Sequence, residues 1–193
     1  MNAKLETVLQ KIDQSNHQDP NQDIDQGKQV AKEWLYGQRM SERLTQFEPD
    51  ASELLQIAAR GQHIQRWSIP RSDYPEGRVG YKHWRTDLGK FHGEKTAELM
   101  LQAGYSEQDA ERVKALLQKK GLKQDTEVQT LEDVICLVFL EHYLAPFAEK
   151  HSEPKLITII QKTWSKMSEK GHQAALKISY QPEHLALIQK ALA

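Results

Sequence analysis

Only one cysteine, Cys136, occurs in 193 residues. An internal disulfide is therefore impossible, and a reducing, cytoplasmic setting is expected. No histidine or lysine sits at helical spacing from that thiol to lower its pKa, so it reads as a packed core group rather than a nucleophile. Long apolar runs are missing as well. None approaches the roughly 18 residues that a membrane span needs, and no membrane association is expected. The opening Met1-Asn-Ala-Lys-Leu-Glu-Thr lacks the apolar core of a signal peptide. Period-two alternation persists nowhere, which argues against sheet architectures. Nothing resembles an interdomain linker, so residues 1–193 are expected to form a single domain.

Helical spacing and helix punctuation are what the chain does have. With 38% hydrophobic and 27% charged residues, it is expected to be an all-α, single-domain helical bundle. A first helix is predicted over about 3–16, with Leu5, Val8, Leu9 and Ile12 on one face. A second is predicted over about 26–47. A third starts at Pro49-Asp50, with Asp50 as its N-cap and Glu53 completing a capping box. Its far end carries His63, Arg66 and Trp67, at spacings that place the three side chains on one helix face. The prolines and glycines of 68–80 enforce a loop carrying Arg71 and Arg78. Further helices follow over about 81–103, 107–120 with Gly121 as its stop, and 126–150. Ser152 and Pro154 start another, 165–171 is a break, and Pro182 starts the last.

Charge is unevenly distributed. The segment from Arg60 to Lys95 holds eight lysines and arginines against four acids, while the whole chain nets −1. A local excess of this kind points to a site rather than to a general surface style. Asp133, at the mouth of the most apolar stretch, Thr130-Leu-Glu-Asp-Val-Ile-Cys-Leu-Val-Phe-Leu140, needs a cation, a donor network or a metal if it is buried. A structural salt bridge to Arg60 or Arg66 would equally satisfy it.

Three resemblances bear on function. His63-Ile-Gln-Arg66 and Lys166-Met-Ser-Glu-Lys170 partly echo the ATP-binding signatures of class I aminoacyl-tRNA synthetases. Those signatures belong to a nucleotide-binding βαβ fold with no counterpart here, so tRNA charging is excluded. Leu54 to Ile64, then His92, then Leu131-Glu-Asp133 resembles the skeleton of the all-helical HD-domain phosphohydrolases. That likeness implies a divalent metal, Mn or Mg, held by His63, His92 and Asp133, with His63 and Asp133 catalytic. Ile64 stands where the family pairs an aspartate, and Leu35-Tyr-Gly-Gln-Arg39 lacks the expected first histidine. Finally, Gln62 to Arg71, Tyr81 to Arg85, Gln129 to Glu141 and Thr163 to His172 are similar to an uncharacterised bacterial and fungal family. It carries a domain-of-unknown-function label, forty-two-oh-two, and some fungal members are described as glutamyl-tRNA synthetases.

The expected function is an HD-like domain that binds a phosphorylated small molecule or nucleotide and hydrolyses it if catalytic. His63 and Asp133 would hold a metal or a water. Arg66, Arg71, Arg78, Lys82, Arg85, His92 and Lys95 would approach the same cleft, where arginine suits forked hydrogen bonding to phosphate. Trp67 or Trp84 would stack on a base or sugar, although Trp84 and Trp164 also fit a core role. The alternative is a non-catalytic phosphate sensor, or a protein- or RNA-interaction scaffold, that has lost the HD metal ligands. RNA is the lesser partner, given a pI near 6.7. Oligomeric state stays open.

Overall fold

The apolar spacing read from the sequence produces helices almost throughout. The computed structural model describes residues 2–193. Among them the regular structure is helical apart from one two-stranded hairpin, a mostly α fold as expected. No helix among the described residues is long and apolar enough to cross a membrane. The chain divides into two compact units, Met1–Gly121 and Leu122–Ala193.

In the first unit, α1 (Ala3–Asn16) buries Leu5, Val8 and Ile12. The hairpin β1 (Gln22–Asp25) and β2 (Lys28–Ala31) follows. It corrects the expectation of helix from residue 26. Gln26 and Gly27 both take positive φ, 47° and 78°, and form the two-residue turn whose twist suits adjacent antiparallel strands. Asp25 pairs with Lys28 and Ile24 with Gln29. Helix α2 (Lys32–Phe47) begins only after this hairpin. Its N-cap position is Ala31, which has no side-chain acceptor, and the cap comes from outside the helix. Asp19 accepts from the Glu33 amide at 3.0 Å, satisfying one of the first-turn donors that a helix leaves unpaired.

Helix α3 (Glu53–Gly61) is capped by Ser52, whose hydroxyl accepts from Leu55 N at 3.1 Å. This replaces the expected Asp50 cap. Arg60 ties three helices together. Its guanidinium meets both Asp13 oxygens at 2.7 and 2.8 Å, and its Nε donates to Ser41 Oγ at 2.7 Å. Helix α4 (Gly77–Gln102) is the longest element, and α5 (Glu107–Leu117) packs along it. Gly93 is what lets them approach: a Cβ there would stand 3.3 Å from Lys114 Cα.

In the second unit the apolar stretch is helical, as its spacing predicts. Helix α6 (Thr126–Val138) gives way to a π-helical turn, Phe139–Tyr143, and then to α7 (Leu144–Ala148). Pro146 sits inside α7 and lacks an N–H for the ordinary ladder. The wider turn just before it absorbs that mismatch. Helices α8 (Glu153–Trp164) and α10 (Pro182–Leu192) pack together through Leu156, Ile160, Leu187 and Ile188. Between them lies α9 (Glu169–Ala175).

Candidate functional site

The first unit builds its cavity around the turn that carries His63. Helix α3 ends at Gly61, where a Cβ would fall 2.5 Å from Thr96 Oγ1 of α4. The chain then turns through Gln65 at φ 48°. Asn16 fixes this turn: its Oδ1 accepts from Gln65 N at 2.9 Å, and its Nδ2 donates to Glu33 O at 3.3 Å. Arg66–Ser68 form a separate 3-10 turn. His63, Arg66 and Trp67 therefore do not share a helix face, contrary to the sequence expectation. The reason is a capture by Asn16 from another helix, invisible in the local pattern.

His63 is held on both sides. Its ring stacks on Tyr36 at 3.8 Å between centroids, and its Nδ1 lies 3.0 Å from Glu33 Oε2. A carboxylate can only accept, so Nδ1 carries the proton and Nε2 keeps its lone pair. His92, just past the middle of α4, follows the same logic. Its Nδ1 donates to the Ile64 carbonyl at 2.8 Å, and its buried Nε2 has no protein partner. The two rings are 6.0 Å apart.

The electrostatics keep both imidazoles neutral. Burial holds His63 well below the ordinary histidine range, and the charges of Arg66, Arg85 and Lys119 push the same way. Burial brings His92 down to about 3, with His63 adding to the effect. Burial also raises Glu33 above the usual carboxylate range, opposed chiefly by Arg66 and Lys32. Glu33 and His63 thus form a buried couple with the proton on the ring.

Around these rings lies a cavity of about 270 Å³, lined by Gln62, His63 and His92, by Arg85, Leu88, Gly89 and Lys90 of α4, and by Leu117 to Lys120. Arg85, Leu88, Gly89 and His92 fall at the i, i+3, i+4, i+7 spacing of one helix stripe. The opposite wall is the end of α5. Lys119 N donates to Leu116 O and Lys120 N to Ala115 O, the pair of bonds that closes a helix through a left-handed residue. That residue is Lys119, at φ 56°, a position glycine usually holds. The helix therefore stops before the expected Gly121 and turns two lysines onto the cavity.

Of the residues expected at a site, the cavity gathers His63, His92 and Arg85. Arg66 lies over the Trp84 ring at 5.0 Å and acts on His63 and Glu33 through its charge. Trp84 is buried and donates to Ile69 O at 2.9 Å, so it serves packing. Arg71 closes its own loop, donating to Tyr74 O and Pro75 O at 2.8 and 2.9 Å. Arg78 and Lys82 are exposed on the first turns of α4, and Lys95 pairs with Glu98 at 3.4 Å. Glu33, Gln62, Lys90, Lys119 and Lys120 belong to the site but were not singled out from sequence. Only Lys90 lies on α4 with Arg85 and His92; the others come from different segments, so no stripe of a single helix could have pointed to them.

Asp133 belongs to the second unit, and donors there satisfy it. Ser168 N donates to Oδ1 at 2.8 Å, Gln129 Nε2 donates to Oδ1 at 3.1 Å, and the Ser168 hydroxyl donates to Oδ2. Ser168 in turn caps α9 by accepting from Gly171 N. Asp133 thus anchors the start of α9, while Arg60, one bland partner envisaged for it, is committed to Asp13. His172 stacks on Trp164 at 4.4 Å and makes a 2.8 Å hydrogen bond to its carbonyl. Cys136 is buried, as expected. Among the described residues no group of three or more His, Cys, Asp or Glu side chains could hold a metal ion.

A family model described as Domain of unknown function (DUF4202) matches residues 6–188. The chain belongs to this family. Membership covers both units and brings together the runs around His63, Arg85, Asp133 and His172 that carried the resemblance. Neither an HD-like scaffold nor a synthetase label follows from belonging to DUF4202. No curated protein and no solved structure matches the chain significantly.

Proposed function

We propose that the first unit binds a phosphorylated small molecule in the cavity between α4, the His63 turn and the end of α5. The observation that carries this reading is the convergence of Arg85, Lys90, Lys119 and Lys120 on one cavity whose floor holds two neutral imidazoles. Cations at the rim neutralise an oxyanion, and neutral rings beneath add no opposing charge. At about 270 Å³, the space lies just below the roughly 300–1,000 Å³ of typical ligand pockets. It suits a phosphoryl group with a small substituent better than a whole nucleotide.

A hydrolytic use is supported by the Glu33–His63 couple. A neutral imidazole with a bare Nε2 can take a proton from water, and the carboxylate behind it stabilises the resulting imidazolium. No step in this reading passes through a metal.

The test is a thermal-shift series with inorganic phosphate and small phosphate esters, with and without chelator. A raised midpoint that survives chelator and shrinks in Arg85→Ala is expected, with affinity down about tenfold for one lost charged contact. No shift with any phosphorylated compound would overturn the proposal. Release of phosphate that disappears in His63→Ala would extend binding to catalysis.

A further inference from the structure

The cavity presents an unusual pairing of rim cations with buried acceptors. His92 is 3% exposed, its Nε2 is closed to solvent, and nothing in the protein donates to it. The ring cannot present Nδ1 instead, because that nitrogen is committed to Ile64 O at 2.8 Å. Gln62, 5% exposed and lining the same cavity, also leaves its Oε1 without a partner. The Glu33 carboxylate keeps the His63 Nδ1 proton in place at 3.0 Å and so leaves a third lone pair, on His63 Nε2. A fully deprotonated oxyanion would satisfy Arg85 and the lysines but would set its oxygens against these lone pairs. An oxyanion that retains a hydrogen can do both, accepting from the cations and donating inward.

Resting on the phosphate-binding reading above, we infer that this cavity selects an oxyanion carrying a proton, hydrogen phosphate or a singly protonated phosphate ester, and rejects sulfate. The two anions match in shape and, at slightly alkaline pH, in charge. They differ in one O–H, and a single O–H meets one acceptor: His63 Nε2, because the His92 Nε2 and the Gln62 Oε1 are closed to a water-sized atom. A donor that meets a buried acceptor replaces an unpaired group, and sites built this way discriminate more strongly than sites that read shape alone.

The experiment is titration calorimetry of the full chain with potassium phosphate and potassium sulfate at equal ionic strength and slightly alkaline pH. Phosphate is expected to bind at least about tenfold more tightly than sulfate. Equal affinity would overturn the inference and leave the anion-binding proposal standing. If neither anion binds and phosphate esters also fail, both fall. A second arm uses Glu33→Gln, whose amide can donate to His63 Nδ1 and so move the ring proton to Nε2. The ratio of phosphate to sulfate affinity is expected to drop several-fold in that variant. An unchanged ratio would overturn the inference.

Discussion

His92 must stay neutral to remain where it is, and that requirement couples stability to pH. Its folded pKa lies near 3, whereas an unfolded histidine titrates near 6.5. Between those values the unfolded chain binds the extra proton, so stability is complete above about 6.5 and is lost as pH falls. His63, also held low by burial, adds in the same direction. Glu33 opposes them just above its ordinary range, because its raised pKa favours the protonated folded form there. Urea unfolding across this window should lose roughly 1.4 kcal/mol per pH unit for each titrating ring. In His92→Gln the slope should shrink by about one proton; an unchanged slope would show that His92 does not stay neutral. Lys119 gives a second residue-scale prediction. Lys119→Gly relieves a left-handed backbone and should hold or raise stability by up to about 1 kcal/mol. The same change removes a rim cation, so phosphate affinity should fall, and calorimetry beside a melting curve would record both effects.

Several helices here are capped by the residue just before them, as α3 is by Ser52 and α9 by Ser168, but α2 and the His63 turn take their acceptors from elsewhere in the chain. Asp19 caps α2 across the hairpin, and Asp19→Ala should cost about 1–2 kcal/mol in urea unfolding, since the Glu33 amide would then be buried unpaired. Glu33 sits on that first turn, so the same variant should also weaken phosphate binding, an effect a merely local cap would not produce. These two long-range acceptors, Asp19 and Asn16, mark the boundary of what was legible in the sequence. The face of α1 followed from Leu5-Val8-Ile12, because burial of a helix stripe is a local pattern. The hairpin did not follow, since its strands are four residues each and too short for an alternating pattern to show. The His63 turn was hidden for a different reason: Asn16 supplies its acceptor from 49 residues away. At the site, the basic excess of Arg60 to Lys95 showed where to look. It did not show which cations are spent on their own loops, as Arg71 is.

At the scale of the whole molecule, charge and division into units shape what can be tested. The chain nets −1, so a nucleic-acid partner would have to be attracted by the cavity rim against an acidic remainder. Retention of RNA on a filter should therefore be negligible at physiological salt, whereas small-anion binding should weaken only moderately as salt rises. Steep salt-dependent retention would instead favour an RNA scaffold. In the second unit, Asp133→Ala leaves Ser168 N without its acceptor and should destabilise the protein by about 1–3 kcal/mol. Such a loss, read from unfolding, is expected even in a protein whose chemistry resides wholly in the first unit.

Cys136 turns that division into something that can be timed. It is the chain's single thiol, buried within α6 of the second unit, so a thiol reagent reaches it only when that unit opens. Its labelling rate is thus a clock for one half of the chain, read without any introduced probe. Saturating phosphate, held by the first unit, should slow that clock only to the extent that the two halves open in a single cooperative event.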